Sequence, residues 1–253
     1  MLSQKSNLKK LTKELESNAN KPQAAILQRF FKTGPGQYGA GDRFLGLKVP
    51  LQRQIARKYR DLDQPGIKEL LNSKIHEFRL VGLLILVEQY EAAQELKGKK
   101  KIVDFYLKNT KGINNWDLVD LSVYKILGDF LYRQEKVLLK KTQIISLKSK
   151  KLLNKLAESK NLWERRMAMV STYAFIKAGR HEETFALAKK LLQDEHDLIH
   201  KAVGWMLRET GKRVSRSKLL EFLDAHHHLM PRTALRYAIE HLTPREREHY
   251  LTK

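Results

Sequence analysis

Between Gly66 and Met230 the chain has no proline, and four of its six prolines, Pro22, Pro50, Pro65 and Pro244, stand at the start of apolar-periodic runs. Inside a helix, proline removes a backbone donor and clashes with the preceding turn. In the first turn the missing N–H has no partner to lose. This placement predicts helix after helix. No two alternating apolar/polar runs are joined by a hairpin signal, so strand content should be near zero.

A loose repeat runs through the predicted helices. Several segments begin with a cap-like or acidic turn, then a basic residue, then small or apolar residues. Arg79, Arg166, Lys201 and Arg232 hold comparable places in this frame, and Asp120 takes the same place in Asn115-Trp116-Asp117-Leu118-Val119-Asp120. Successive spacings run from 31 to 46 residues. That is the range of two-helix HEAT-like units, which stack into a curved, right-handed α-solenoid. The expected architecture is a single all-α repeat domain over residues 1–253. N-terminal helices occupy about 1–33, a Gly-rich loop 34–49 and helical repeats 50–253. The recurring cations would line a basic concave face fitted to a phosphate backbone.

Charge narrows the partner. Lys and Arg total 49 against 28 Asp and Glu, a formal charge of +21. The apolar share of 42% is enough for a core. So large a positive charge points to a polyanion, nucleic acid first and an anionic membrane second. The longest strongly apolar stretch, Leu80–Val87, is far too short to span a bilayer. The lysine runs at 97–101 and 140–151 read as solvated faces or outer phosphate contacts, without the apolar content of a membrane-lying helix. With no cysteine, disulfides, thiolate metal sites and cysteine nucleophiles are excluded. No signal-peptide pattern opens the chain, so the expected location is cytoplasmic, with access to DNA.

Three constellations can carry chemistry. Trp116 and Asp120 are four apart in a predicted helix and share a face. The indole offers a negative π face to a cation, and the carboxylate a negative charge or a general base. The bland reading puts Trp116 in the core and pairs Asp120 with an arginine. Lys201, Trp205, Arg208 and Lys212 fall on one stripe by their intervals of 4, 3 and 4. Such a stripe suits a nucleotide and its flanking phosphates, or else a core Trp with snorkelling neighbours. In Trp163-Glu164-Arg165-Arg166 the two arginines point about 100° apart, so one can face a groove while the other packs.

Other motifs fail. Five of the 13 glycines crowd into Gly34–Gly46, yet no Gly-Lys-Ser/Thr follows, so this is a connector or a DNA-side flap and not a phosphate loop. His196 and His200 have metal spacing but lack the glutamate of a His-Glu-x-x-His site, and His226-His227-His228 has no partner motif. No metal or cofactor is expected. No cluster of carboxylates resembles a two-metal nuclease site.

At this point the residues resemble a known family. Asn114-Asn115-Trp116-Asp117-Leu118-Val119-Asp120, Leu162-Trp163-Glu164-Arg165-Arg166, His200 to Arg208, and Gly41-Asp42-Arg43-Phe44-Leu45-Gly46 are similar to the DNA alkylation repair glycosylases of the AlkD type, across about residues 25–250. The resemblance implies an all-α HEAT-like fold. It implies hydrolysis of the N-glycosidic bond of cationic N7- or N3-alkylpurines in double-stranded DNA, without a base-specific pocket. By position, Asp120 resembles the catalytic carboxylate. Trp116 and Trp205 resemble the lesion-side aromatics, and Arg166 and Arg208 the DNA-backbone contacts. A further aromatic of the N-terminal helices corresponds to Phe30 or Tyr38. Lys201 and Arg232 from the repeat pattern, and Lys212 from the stripe, are expected to add phosphate contacts.

The leading expectation is therefore a monomeric, monofunctional DNA glycosylase acting on alkylated purines. The alternative is a non-catalytic HEAT-repeat binder of damaged or branched DNA, which needs no Trp116/Asp120 pair. A protein–protein scaffold fits the repeats but not the charge, unless its partner is acidic.

Overall fold

The computed structural model describes residues 2–138 and 144–252. Among these the architecture is all-helical, as the proline pattern predicts, and the one departure is an isolated parallel bridge between Arg43 and Ile75. Pro22, Pro50, Pro65 and Pro244 each occupy the first two positions of a helix. Asn20, Asp63, Asn161 and Thr243 cap helices with their side chains, accepting a backbone N–H that the helix itself leaves unpaired. The chain packs as two compact units, Met1–Ser122 and Val123–Lys253.

In the first unit, α1 (Leu2–Ser17) and α2 (Lys21–Phe30) lead into the Gly-rich segment. Then come α3 (Val49–Lys58), α4 (Gln64–Leu71), α5 (His76–Ala92), α6 (Leu96–Lys108) and the single turn α7 (Trp116–Asp120). The apolar stretch Leu80–Val87 is the middle of α5, buried on every side. Helices α1, α3, α4 and α6 pack onto it, and α7 leans on it. Burying a Leu or Ile fully contributes about 1.5–3 kcal/mol, so this helix anchors the unit.

In the second unit a π-helical turn, Tyr124–Gly128, runs into α8 (Asp129–Leu138). There follow α9 (Ile144–Ala157), α10 (Leu162–Ser171), α11 (Tyr173–Lys177), α12 (Glu182–Leu191), α13 (Asp197–Arg213), α14 (Arg216–His226), α15 (Arg232–Ala238) and α16 (Pro244–Leu251). Helix α13 is the hub. Ile199, Ala202, Val203, Met206 and Leu207, spaced as one helical face, are fully buried against α10, α12, α14 and α15. No described helix is long and apolar enough to cross a membrane.

The lysine runs fare differently. Lys99 departs from the expected solvated face: it is buried, donates to the Tyr90 carbonyl at 2.6 Å and lies 4.2 Å from the centre of the Tyr90 ring. Its long stem lets the ammonium reach a carbonyl near the end of α5. Residues 140–143 of the second run lie outside the described residues.

Candidate active site and nucleic-acid interface

The Trp116–Asp120 turn of the first unit is fixed from below by buried polar groups. Asn115, fully buried, caps it: its Oδ1 accepts the Trp116 N–H at 2.8 Å and its Nδ2 donates to Asp42 at 3.4 Å. Asp117 turns inward to His76 Nε2 at 2.8 Å, and His76 Nδ1 faces Asp42 at 3.4 Å. Arg79 completes the cluster, giving Nη2 to Asp42 at 2.7 Å and Nη1 to the Ser73 carbonyl at 2.8 Å.

Two cations and two carboxylates thus share one buried pocket of charge. Burial opposes a charged His76, but the flanking Asp117 and Asp42 outweigh it and raise its pKa to about 9. His76 is therefore an imidazolium at neutral pH, donating from both ring nitrogens. For Asp42, burial works against the charged form, and His76 and Arg79 together still hold its carboxyl below the usual aspartate range.

An aromatic stack roofs the cluster. Phe44 and Phe31 lie against the His76 ring at 4.6 and 5.0 Å, and Phe31 stacks on Trp116 at 5.2 Å with 17° between planes. Phe30 stands edge-on to Trp116 at 5.9 Å and is 61% exposed, unusual for a phenyl ring. The ring that meets Trp116 from α2 is thus Phe30. Tyr38 sits half-buried in the Gly-rich segment. Trp116 and Asp120, the first and last residues of the turn, are both half-buried. Asp120 lies close enough to the buried Tyr106 to be felt there. Burial pushes that phenol upward, its hydrogen bond to Ser122 pulls the other way, and the Asp120 charge adds to the rise.

The Gly-rich segment closes beneath this site and is not a free flap along its whole length. The buried Glu77 carboxylate accepts the backbone N–H groups of Leu45, Gly46 and Leu47 at 3.0, 2.8 and 3.2 Å. Gly46 has φ +88°, and a Cβ there would meet the Asn20 carbonyl at 2.2 Å, so only glycine fits.

The second unit carries a different surface. On α13, Trp205 is half-buried and lies 6.2 Å from Tyr173, which in turn meets Tyr124 edge-on at 5.2 Å. Arg213 spans the Tyr173 ring at 5.5 Å and pairs with Glu209 at 2.7 Å. The expected stripe forms, but two of its three cations have acid partners. Lys201 pairs with Asp197 at 2.7 Å, and Arg208 with Glu240 and, at 3.2 Å, with Glu209. Lys212 and Arg232 are exposed, Arg232 donating to the Leu251 carbonyl at 2.9 Å.

Of the paired arginines, neither points freely outward. Arg165 clamps Asp194 at 2.6 Å, and Arg166 is only 4% exposed and donates to the Leu198 carbonyl. A phosphate reaching Arg166 has to open that contact. Trp163 is buried in the core. His196 caps α13 through Nδ1, and His200 is bonded to the Asp194 carbonyl. His226 and His227 are likewise tied to the carbonyls of Phe222 and Leu223. Among the described residues, no three His, Cys, Asp or Glu side chains gather as a metal site.

Sequence reasoning missed the Asp42–Arg79–His76–Asp117 cluster and the Tyr124–Tyr173–Arg213 group. One signal for the first was present: His76-Glu77-Phe78-Arg79 directly precedes the most apolar stretch of the chain, where charges need buried partners.

Helices paired about hub helices α5 and α13 define a helical-repeat protein, with one unit offering an indole and a carboxylate on a fixed turn. The family model of DNA alkylation repair enzymes matches residues 11–242, and the chain belongs to that family. Among solved structures it is similar to a "predicted DNA alkylation repair enzyme from Enterococcus faecalis", with a TM-score of 0.66 and 15% identity over 89% of this chain and 97% of that one. At that identity the likeness speaks for the fold alone. No curated protein sequence matches the chain. Family membership makes this a DNA alkylation repair enzyme with DNA as its substrate.

Proposed function

We propose that the protein is a monofunctional DNA glycosylase that hydrolyses the N-glycosidic bond of cationic N7- or N3-alkylated purines in double-stranded DNA, acting as a cytoplasmic, nucleoid-associated monomer. The observation that carries this reading is the Trp116–Asp120 turn, held from below by a buried charged cluster and flanked by the exposed ring of Phe30.

The chemistry follows from the substrate's charge. Alkylation at N7 or N3 leaves the purine cationic and a good leaving group, so the bond breaks with little acid help. Positive charge then grows on the deoxyribose. A carboxylate fixed nearby stabilises that charge and orients the attacking water, and Asp120 has this role. The Trp116 indole attracts the cationic nucleotide, worth about 0.5–2 kcal/mol. Phe30 frames the same surface. Arg208, Lys201, Lys212 and Arg232 hold phosphates and set register without reading sequence. Trp205, with Tyr173 and Arg213 beside it, offers a further stacking surface for a nucleotide. Arg166 joins the phosphate contacts once its carbonyl partner is exchanged.

The test is base release from methylated duplex DNA. Wild type should free 7-methylguanine or 3-methyladenine, and Asp120→Asn should lose about 100-fold or more of that rate while still holding DNA. Normal release by the variant removes Asp120 from the mechanism. No release by wild type from any cationic lesion makes the chain a non-catalytic binder of damaged DNA.

A further inference from the structure

In the first unit, loop residues 40–42, 71–74 and 111–114 enclose a solvent-open pocket of about 320 Å³. We propose that this pocket seats one phosphodiester of the DNA backbone and so registers the strand against the Trp116–Asp120 turn. The proposal rests on DNA being the substrate and is independent of which bond is cut.

Charge argues first. The pocket is lined by Asp42, Arg79, Lys74 and Lys111. Asp42 is already matched by Arg79 and His76, whose second carboxylate partner is Asp117. Two carboxylates against two cations leave that cluster neutral. Lys74 and Lys111 are then uncompensated within the pocket, and both are exposed.

Arg79 supplies the second argument. It is 3% exposed and lines the pocket from within, and both its Nη groups are engaged. Its Nε–H has no partner. A buried donor left unsatisfied costs about 1–3 kcal/mol, more on a charged group, so the guanidinium gains by meeting a further acceptor. The Nε atom is itself enclosed, so a phosphate oxygen in the pocket is that acceptor once the guanidinium turns toward it.

The lining also selects the ligand class. Apart from the charged groups it consists of glycine, alanine, serine and asparagine with one leucine, and no aromatic ring that would stack a base. The volume holds a phosphate group with several of its waters, each filling about 30 Å³. The walls are braced as well. A Cβ on Gly112 would meet the Leu71 carbonyl at 2.4 Å, so the second and third loops touch backbone to backbone. The Arg43–Ile75 bridge ties the first loop to the second through Arg43 N to Lys74 O at 2.9 Å and His76 N to Arg43 O at 2.8 Å. Asn114, on the pocket wall, stands two residues before Trp116. A phosphate held here is therefore indexed to the turn that carries Asp120.

The experiment uses the full chain and a duplex with a single tetrahydrofuran nucleotide, in which one phosphate at a time is replaced by a neutral methylphosphonate. In wild type, one replacement near the tetrahydrofuran should weaken binding about tenfold, as expected for a lost hydrogen bond to a charged group. The same replacement should change binding by the Lys74→Ala/Lys111→Ala double variant by less than about twofold, and the variant's salt slope should fall by about one unit. Equal sensitivity of wild type and variant at that position, or a uniform response at all positions, overturns the seat. Failure of wild type to bind the duplex overturns it too. Inorganic phosphate is titrated in parallel while the amide signals of Gly41 and Gly112 are followed. Shifts there without any single sensitive position in the duplex assign the pocket to a free anion and overturn the backbone seat. Base release is scored separately, so its absence counts against the glycosylase reading and leaves the binding result intact.

Discussion

Trp116 and Trp205 are both half-buried indoles, and the two units hold them by opposite means. Trp116 stacks on Phe31 over a buried cluster of charge, on a turn whose N-cap, Asn115, is wholly enclosed. Trp205 projects from the solvent side of a long helix, with the Tyr173 ring 6.2 Å away and ion pairs on either side that keep partial access to water. Buried charges that are mutually satisfied admit one arrangement, because losing any partner strands another in low dielectric. Half-exposed ion pairs are worth little and exchange partners readily. The charges of the first unit fix a position, and the ion pairs of the second can change partners.

The contrast breaks most visibly at the base of the Trp116 turn. Asp42→Ala takes away the carboxylate partner of Arg79 and leaves Asp117 alone against two buried cations, and should cost about 3–5 kcal/mol in chemical denaturation. If that loss stays below about 1 kcal/mol, the cluster does not fix the turn. A pH series sharpens the same point. His76 is raised in the folded state to about 9, so its contribution is fully present below about 6.5 and is lost as pH climbs through 9. Asp42 is lowered, so its share is present above the ordinary aspartate pKa and is lost as acid is added. Melting temperature should therefore fall off on both sides of a mildly acidic plateau, and His76→Gln should flatten the alkaline limb. A smaller effect is expected from Phe30→Ala: base release should drop about threefold to tenfold, the range of one aromatic pair, with melting temperature almost unmoved because the ring is exposed. The smallest is Arg208→Gln. It should change stability by about 1 kcal/mol or less and lower the salt slope of DNA binding by about one.

Much of this is legible in the sequence. Proline placement fixes the helical class because one backbone rule governs every position. The interval of four from Trp116 to Asp120 identifies the turn that carries the candidate chemistry. What periodicity does not carry is the direction of a cation at a helix's first turn. Arg79 and Arg166 share a frame with Lys201 and Arg232, yet the first two are buried and the last two reach solvent. The outcome depends on whether a segment distant in sequence offers an acceptor. Asp42 does so for Arg79 and the Leu198 carbonyl for Arg166, each more than 30 residues away in sequence. Similarly, Phe30 and Tyr38 are equivalent as aromatic residues of the N-terminal region, and it is Phe30, the last residue of α2, whose ring meets Trp116.

The grip of Glu77 on three consecutive amides has a bearing on how this chain tolerates indels. Residues 45–47 are gauged against a single carboxylate, so one residue added among them throws the amides out of step, and one added between Asp42 and Leu45 changes the spacing from the clasp to the Asp42–Arg79 pair. A few residues upstream, Pro35 and Gly36 are exposed, and a side chain built on Gly36 would meet nothing within 4 Å. Peptide tags or reporter loops belong there, where lengthening leaves the clasp downstream in phase.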